Sequence, residues 1–459
     1  MEIYKGNRSL QKGVIMKYFY KTTIFKNNIF TISRFSIFFL FLLMLWSMGP
    51  WFAWNHTGIM VFALSGCFVL LRFILVARNY KNNVIVYSIL VSIAFAFMVY
   101  FMVRLRNVGG LTGILNFIRL VVVFAFVLAM DKNEKKQIVT TSTTTYAWIV
   151  GVSMIAYLFV IAGVNLPYSV ISVPDNFFYP PFLNYRLFIM STNMTDFFFQ
   201  RFQSIFTEPG HLSVISALFV YVNRYELKRK SVLIIFISVL LSLSLAGYVL
   251  MILGYLIQMV AKSSKVYKTV LKITAVTVLL IGMGFSFYVR NPDSVFSVLI
   301  MSRVMPGEDG NIQGWNRERA NFIHFYETQF LVSTENILWG MNLSEAERWV
   351  LFGRGGNNSY RVFLLNNGVI ALILLFLMYF SIVAITPSRL GFGLLLFCSV
   401  SFIQRIQIPF WEMQLFLFIG AMQFFNMGSY NKSSHKTGFD IPPPLGRKIR
   451  GQWICSHAK

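Results

Sequence analysis

Long apolar runs alternate with short polar and basic stretches along almost the whole chain. A helix that crosses a bilayer needs about 20 apolar residues. Runs at 31–49, 58–77, 83–102, 112–130, 145–164, 205–222, 231–245, 247–260, 269–289, 361–381, 389–404 and 409–426 meet or approach that length. The pattern predicts an all-α polytopic membrane protein with about 12 transmembrane helices. The pair 231–245 and 247–260 is short for two crossings, yet both of its flanks are basic (Lys228-Arg229-Lys230, then Lys262, Lys265 and Lys268). The chain is therefore expected to go out and back there. The break is expected within Ser242-Leu243-Ser244-Leu245-Ala246-Gly247, with one or both helices tilted or re-entrant.

The polar remainder divides the chain into a basic leader at 1–30, a membrane domain at 31–426 and a tail at 427–459 that carries Pro442-Pro443-Pro444. The first apolar run follows that leader and precedes many others, so it reads as a first anchor and not as a cleaved signal. Two outer segments are long. The first, at 165–204, is rich in aromatics, proline and asparagine. The second, at 290–360, separates the ninth and tenth spans; its mixed polar and aromatic pattern around Trp315–Thr328 predicts a helix lying at the membrane surface.

Composition sharpens this picture. The chain is 56% hydrophobic and 13% charged, about half the charged fraction of a soluble domain. The net charge of +24 by itself suits nucleic acid. The bases instead sit in short clusters between apolar runs, which is the positive-inside arrangement and points to a lipid bilayer as partner and no nucleic acid. Every lysine falls on the side so assigned to the cytoplasm, including Lys5, Lys81, Lys132, Lys135, Lys136 and Lys432, which places both termini there. The outer segments hold arginine instead: Arg104, Arg106, Arg186, Arg201, Arg290, Arg303, Arg317, Arg319, Arg348, Arg354, Arg361 and Arg405. Topology alone disfavours bases outside, so these residues are candidates for binding. Cys67, Cys398 and Cys455 follow no metal-ligand or redox spacing.

Three features could carry chemistry. Arginine grips phosphate bidentately, and an outer set beside lipid suits a polyprenyl pyrophosphate. Arg119 lies inside an apolar run, where a charge is expensive; it is either functional or snorkelling to the interface. In Phe202-Gln203-Ser204-Ile205-Phe206-Thr207-Glu208-Pro209-Gly210-His211, Pro209 suits the first turn of a helix with Glu208 at its N-cap. Glu208 and His211 then form a candidate acid/base pair at the membrane rim, or a capping Glu beside an interfacial His. The third feature is Gly353-Arg354-Gly355-Gly356-Asn357-Asn358-Ser359-Tyr360-Arg361. It reads either as a turn and helix cap or as a loop whose Asn357, Asn358, Ser359, Tyr360 and arginines face a sugar or phosphate. No Walker lysine accompanies it, which disfavours a nucleotide loop.

Together these residues resemble the bacterial O-antigen polymerase and ligase superfamily over roughly residues 200–385. Arg201 to Gly210 looks like the family's R-x-x-S-x-F-x-E-P-G segment, and Gly356-Asn357-Asn358-Ser359-Tyr360 is similar to its G-x-x-N-S element. The helical pair around Ser242–Tyr248 and the large outer loop complete the match, while the N-terminal half matches only in hydropathy. The resemblance implies a GT-C-like fold in the bacterial cytoplasmic membrane with its site facing the periplasm. It further implies a metal-independent glycosyltransferase with no cofactor, whose donor and acceptor are undecaprenyl-pyrophosphate-linked glycans, and a chain-length regulator as a conceivable partner. By the same resemblance Glu208, His211, Arg303 and Arg317 are the catalytic candidates. Arg119, Arg201, Arg319, Arg354, Asn357, Asn358, Ser359, Tyr360 and Arg361 are the substrate-binding ones. Ligase relatives often carry a His near the Asn-Ser element; here His324 is the loop's sole histidine, which favours a polymerase over a ligase, while a flippase, the other alternative, would not need so large a polar outer loop.

Overall fold

The computed structural model describes residues 32–54, 57–76, 110–173, 180–192, 201–263, 282–291, 320–341, 360–404 and 412–433, with the single residues 268, 294 and 297. They are mostly helical. In chain order the elements are α1 (Ile32–Trp46), a 3-10 turn at Trp51–Ala53, α2 (Thr57–Val76), α3 (Gly110–Ala129) and α4 (Lys132–Ile161). Three short strands follow, β1 (Ser169–Ile171), β2 (Phe182–Asn184) and β3 (Ile189–Ser191). Then come α5 (Pro209–Val222), α6 (Lys230–Leu241), α7 (Leu245–Lys262) and α8 (282–290). After these lie α9 (Ala320–Phe325) with a π turn at Tyr326–Phe330, α10 (Thr334–Trp339), α11 (Tyr360–Ile385), α12 (Arg389–Gln404) and α13 (Glu412–Ser433).

Among the described residues, α2, α4, α7 and α11 are long and apolar enough to cross a membrane. Their outward faces carry large apolar side chains, with Trp148 70%, Phe73 64% and Ile373 54% exposed. That surface suits an apolar solvent and would be unfavourable in water. The expected span 83–102 lies outside the described residues, as does most of 269–289.

The centre of the bundle is α5, in which every residue is buried. It packs on α6 and α7, while α6 packs on α4, α7 on α12, and α13 on α4. The break between α6 and α7 falls at residues 242–244, inside the stretch expected from sequence. From that break α7 runs back along α5 to its C-terminal end, where Tyr225 Oη donates to the Met251 carbonyl and Gln258 Nε2 to the Tyr221 carbonyl, at 2.7 and 2.5 Å. Gly247 permits this packing: a Cβ there would overlap the Ser213 side chain of α5.

Four expectations need correction. The run 205–222 is helical only from Pro209, and residues 201–208 form a non-helical segment whose Phe202, Gln203, Ser204, Ile205 and Phe206 are all buried. The run 361–381 is interrupted at Gly368, whose φ of 75° is non-helical. The first outer segment contains an antiparallel sheet in the order β1-β2-β3. Finally, the run 409–426 is helical from Glu412, and the helix continues past Asn426 to Ser433.

Candidate functional site

The segment 201–208 is held in place through its backbone. Phe202 N–H donates to the Leu241 carbonyl at 3.1 Å, at the end of α6. Ile189 N–H of β3 donates to the Ser204 carbonyl at 2.9 Å, and Trp51 N–H donates to the Ile205 carbonyl at 3.0 Å. Arg201 adds a side-chain tie, its Nε donating to the Ser242 carbonyl at 3.2 Å. The two sequence features around Glu208 and Ser242 are therefore one physical unit. An aromatic series joins it to the sheet: Phe202 meets Tyr157 at 5.1 Å, Tyr157 meets Phe188 at 6.1 Å, and Phe188 stacks on Tyr185 at 4.7 Å between centroids.

At the end of this segment the chain turns into α5 as the sequence implies. Glu208 takes the N-cap with extended backbone (φ −136°, ψ 140°) and Pro209 opens the helix. Its carbonyl accepts from His211 N–H at 3.0 Å, so the carboxylate and the imidazole are one turn apart. His211 is 9% exposed, and its Nδ1 lies 3.3 Å from Thr207 Oγ1, a contact that can fix the ring orientation. Thr207 and Glu208 are partly buried, as is Arg201 at the other end, while the residues between are buried. An unprotonated carboxylate or imidazole in this position can accept a proton from an approaching hydroxyl.

Arg119 lies elsewhere. It sits midway along α3, where Nη2 meets Glu412 Oε1 at 2.5 Å and Nη1 donates to Ser65 Oγ at 3.0 Å. Both partners were missed by sequence reasoning. Glu412 offered a signal, being a carboxylate inside the apolar run 409–426 and so a natural counter-ion for a buried arginine. Arg361 and Tyr360 begin α11, and the Arg361 guanidinium lies 5.7 Å from the Tyr326 ring centre. That ring belongs to a separate small core of Phe322, Tyr326, Phe330, Val362 and Leu365. Of the stretch Trp315–Thr328, where a helix is expected, residues 320–328 are helical, in α9 and the start of the π turn, and residues 315–319 lie outside the described residues. Arg303, Arg317, Arg319, Arg354, Asn357, Asn358 and Ser359 lie outside the described residues. Among the described candidates Glu208 and His211 share the first turn of α5, Arg201 ties the other end of the same segment to Ser242, Arg119 belongs to another set of contacts, and Tyr360 and Arg361 to a third. No family model, curated protein or solved structure matches this chain.

Proposed function

We propose that this chain polymerises undecaprenyl-pyrophosphate-linked oligosaccharide repeat units at the periplasmic face of a bacterial cytoplasmic membrane. The observation that carries the reading is the pinned segment 201–208, which ends in a partly exposed Glu208 one turn from the buried His211 of α5. Irregular backbone among membrane helices is tolerated where it is enclosed by protein or lines a polar cavity. Helix lengths favour such an enclosure. At 1.5 Å per residue α5 and α6 are about 21 and 18 Å long, short of the ~30 Å hydrocarbon thickness.

The contacts also support a topology of about 12 crossings with both termini cytoplasmic. Ser33 and Arg72 both bond Glu134, Arg224 bonds the Phe424 carbonyl, and Arg389 the Ser263 carbonyl; each joins segments that the lysine bias assigns to one face. Trp51 with Ile205, and Ser47 with Met413, join segments assigned to the other.

In the reaction, an acceptor sugar hydroxyl attacks the anomeric carbon of the donor while the bond from that carbon to pyrophosphate breaks. Glu208 or His211 takes the hydroxyl proton, and undecaprenyl pyrophosphate leaves with the bonding electrons. Arg303, Arg317 and Arg319, with Arg361, would stabilise the developing charge. Asn358, Ser359 and Tyr360 would contact sugar. The test is extension of a purified lipid-linked repeat unit by the purified protein. Wild type is expected to give a ladder of products, while Glu208→Ala, Arg303→Ala and Arg317→Ala give none although each protein reaches the membrane. A normal ladder from all three variants would overturn the assignment.

A further inference from the structure

In the segment leading into Glu208, the Arg201 and Thr207 side chains are bonded, whereas polar groups of the residues between them are not. The carbonyls of Gln203, Ser204 and Ile205 accept from Phe206, Ile189 and Trp51 respectively. Yet Gln203 Nε2, Ser204 Oγ and Trp51 Nε1 are buried with no hydrogen-bond partner. Gln203 is 3% exposed and Ser204 is fully buried. Groups in this condition are uncommon and costly, because each gives up its bonds to water without replacement. Ser204 carries a second cost in its φ of 53°, a left-handed conformation that a residue with a Cβ avoids. Strain and unmet polarity thus coincide within a few residues of the carboxylate and imidazole.

We propose that Gln203, Ser204 and the Trp51 indole form a subsite for the neutral hydroxyls of the acceptor sugar, next to Glu208 and His211. The inference rests on the polymerase reading. The chemistry of the three groups selects the ligand class. An amide and a hydroxyl can each donate and accept, and an indole N–H donates; none is charged. A phosphate would call for guanidinium or ammonium groups, whereas sugar hydroxyls both donate and accept. The segment is partly exposed at both ends, and the Thr207 and Glu208 end is the one beside the proton-accepting pair, which makes it the entry in this proposal.

The experiment compares purified wild type with Gln203→Met, Ser204→Ala and Trp51→Phe, each of which removes one unpaired polar group while keeping bulk. Two properties are read: the apparent KM for the lipid-linked acceptor in the extension assay, and the rise in melting temperature given by the free oligosaccharide released from the host's repeat unit by mild acid. The variants are expected to melt no lower than wild type without ligand. Their acceptor KM should rise about tenfold, as for loss of a buried hydroxyl contact, and their thermal response to the oligosaccharide should be lost. Unchanged KM and an unchanged thermal response in all three would overturn the subsite and leave it a place for ordered water only. If wild type extends nothing, the polymerase reading fails and the thermal response decides alone. A wild-type shift abolished in the variants keeps a glycan subsite, and no wild-type shift removes it. Ser204→Ala, the smallest change, carries the comparison where another variant does not fold.

Discussion

Among the described residues two largely buried arginine–glutamate pairs, Arg72–Glu134 and Arg119–Glu412, link helices of the bundle, and they are built differently. At Glu134 the carboxylate is saturated. Arg72 donates to both oxygens at 2.6 and 3.0 Å, Ser33 Oγ adds a bond at 2.7 Å, and Asp131 N–H completes a capping box at 3.1 Å. At Glu412 only Oε1 is engaged, and Oε2 is buried without a partner. Both arginines keep an unpaired Nε, so the difference lies in the carboxylates. A saturated carboxylate joins α1, α2 and α4 and has no capacity left for anything else. An unsaturated one keeps an acceptor in reserve and can exchange partners at lower cost. Completeness of hydrogen bonding, more than burial, separates the two.

Removing a saturated partner should do the most damage. Glu134→Ala leaves Arg72 buried and uncompensated and deletes the cap, so a loss of about 3–5 kcal/mol is expected, read as a fall in unfolding midpoint in detergent. Arg119→Ala should cost about 3 kcal/mol for the same reason, and a double change separates the pairs. Arg119→Met with Glu412→Leu is expected to fall within about 1 kcal/mol of wild type, since an apolar pair replaces an incompletely satisfied one. Arg72→Met with Glu134→Leu should stay about 2 kcal/mol low, because Ser33 and the Asp131 N–H lose their acceptor. Equal recovery in both doubles would remove the distinction. Next, Gly247→Ala drives a methyl into Ser213 and should cost about 1–3 kcal/mol, testable by the same melts and by recovery in Gly247→Ala with Ser213→Gly. The smallest effect is expected from Ser33→Ala, about 1 kcal/mol, with assembly and activity intact.

Hydropathy made most of the helices legible, because burial in lipid or protein requires apolar runs whatever their partners. Local chemistry made the start of α5 legible too: Pro209 lacks an N–H and suits a first turn, and Glu208 stands at the N-cap as expected. What the sequence hid is conformation inside an apolar run. Ile205 and Phe206 are equally apolar in a helix and in a buried loop, so nothing local distinguished the two. The strands of the small sheet are each three residues long, too short to express an alternating pattern. The partner of Arg119 lies 293 positions away, a distance over which pattern says nothing. The break at Gly368 was hidden for a related reason, since glycine is common in apolar helices and its partner in space is Gly340.

That last pairing has a consequence for how this sequence can change over time. A Cβ at Gly368 would overlap the Leu338 carbonyl oxygen, and one at Gly340 would lie 2.7 Å from the backbone of Asn366 and Asn367. Both residues also hold positive φ, 75° at Gly368 and 78° at Gly340. Neither position can gain a side chain while the other backbone stays where it is. The junction of α10 with α11 therefore demands glycine at two positions at once, and a side chain at either would have to displace backbone of the other helix.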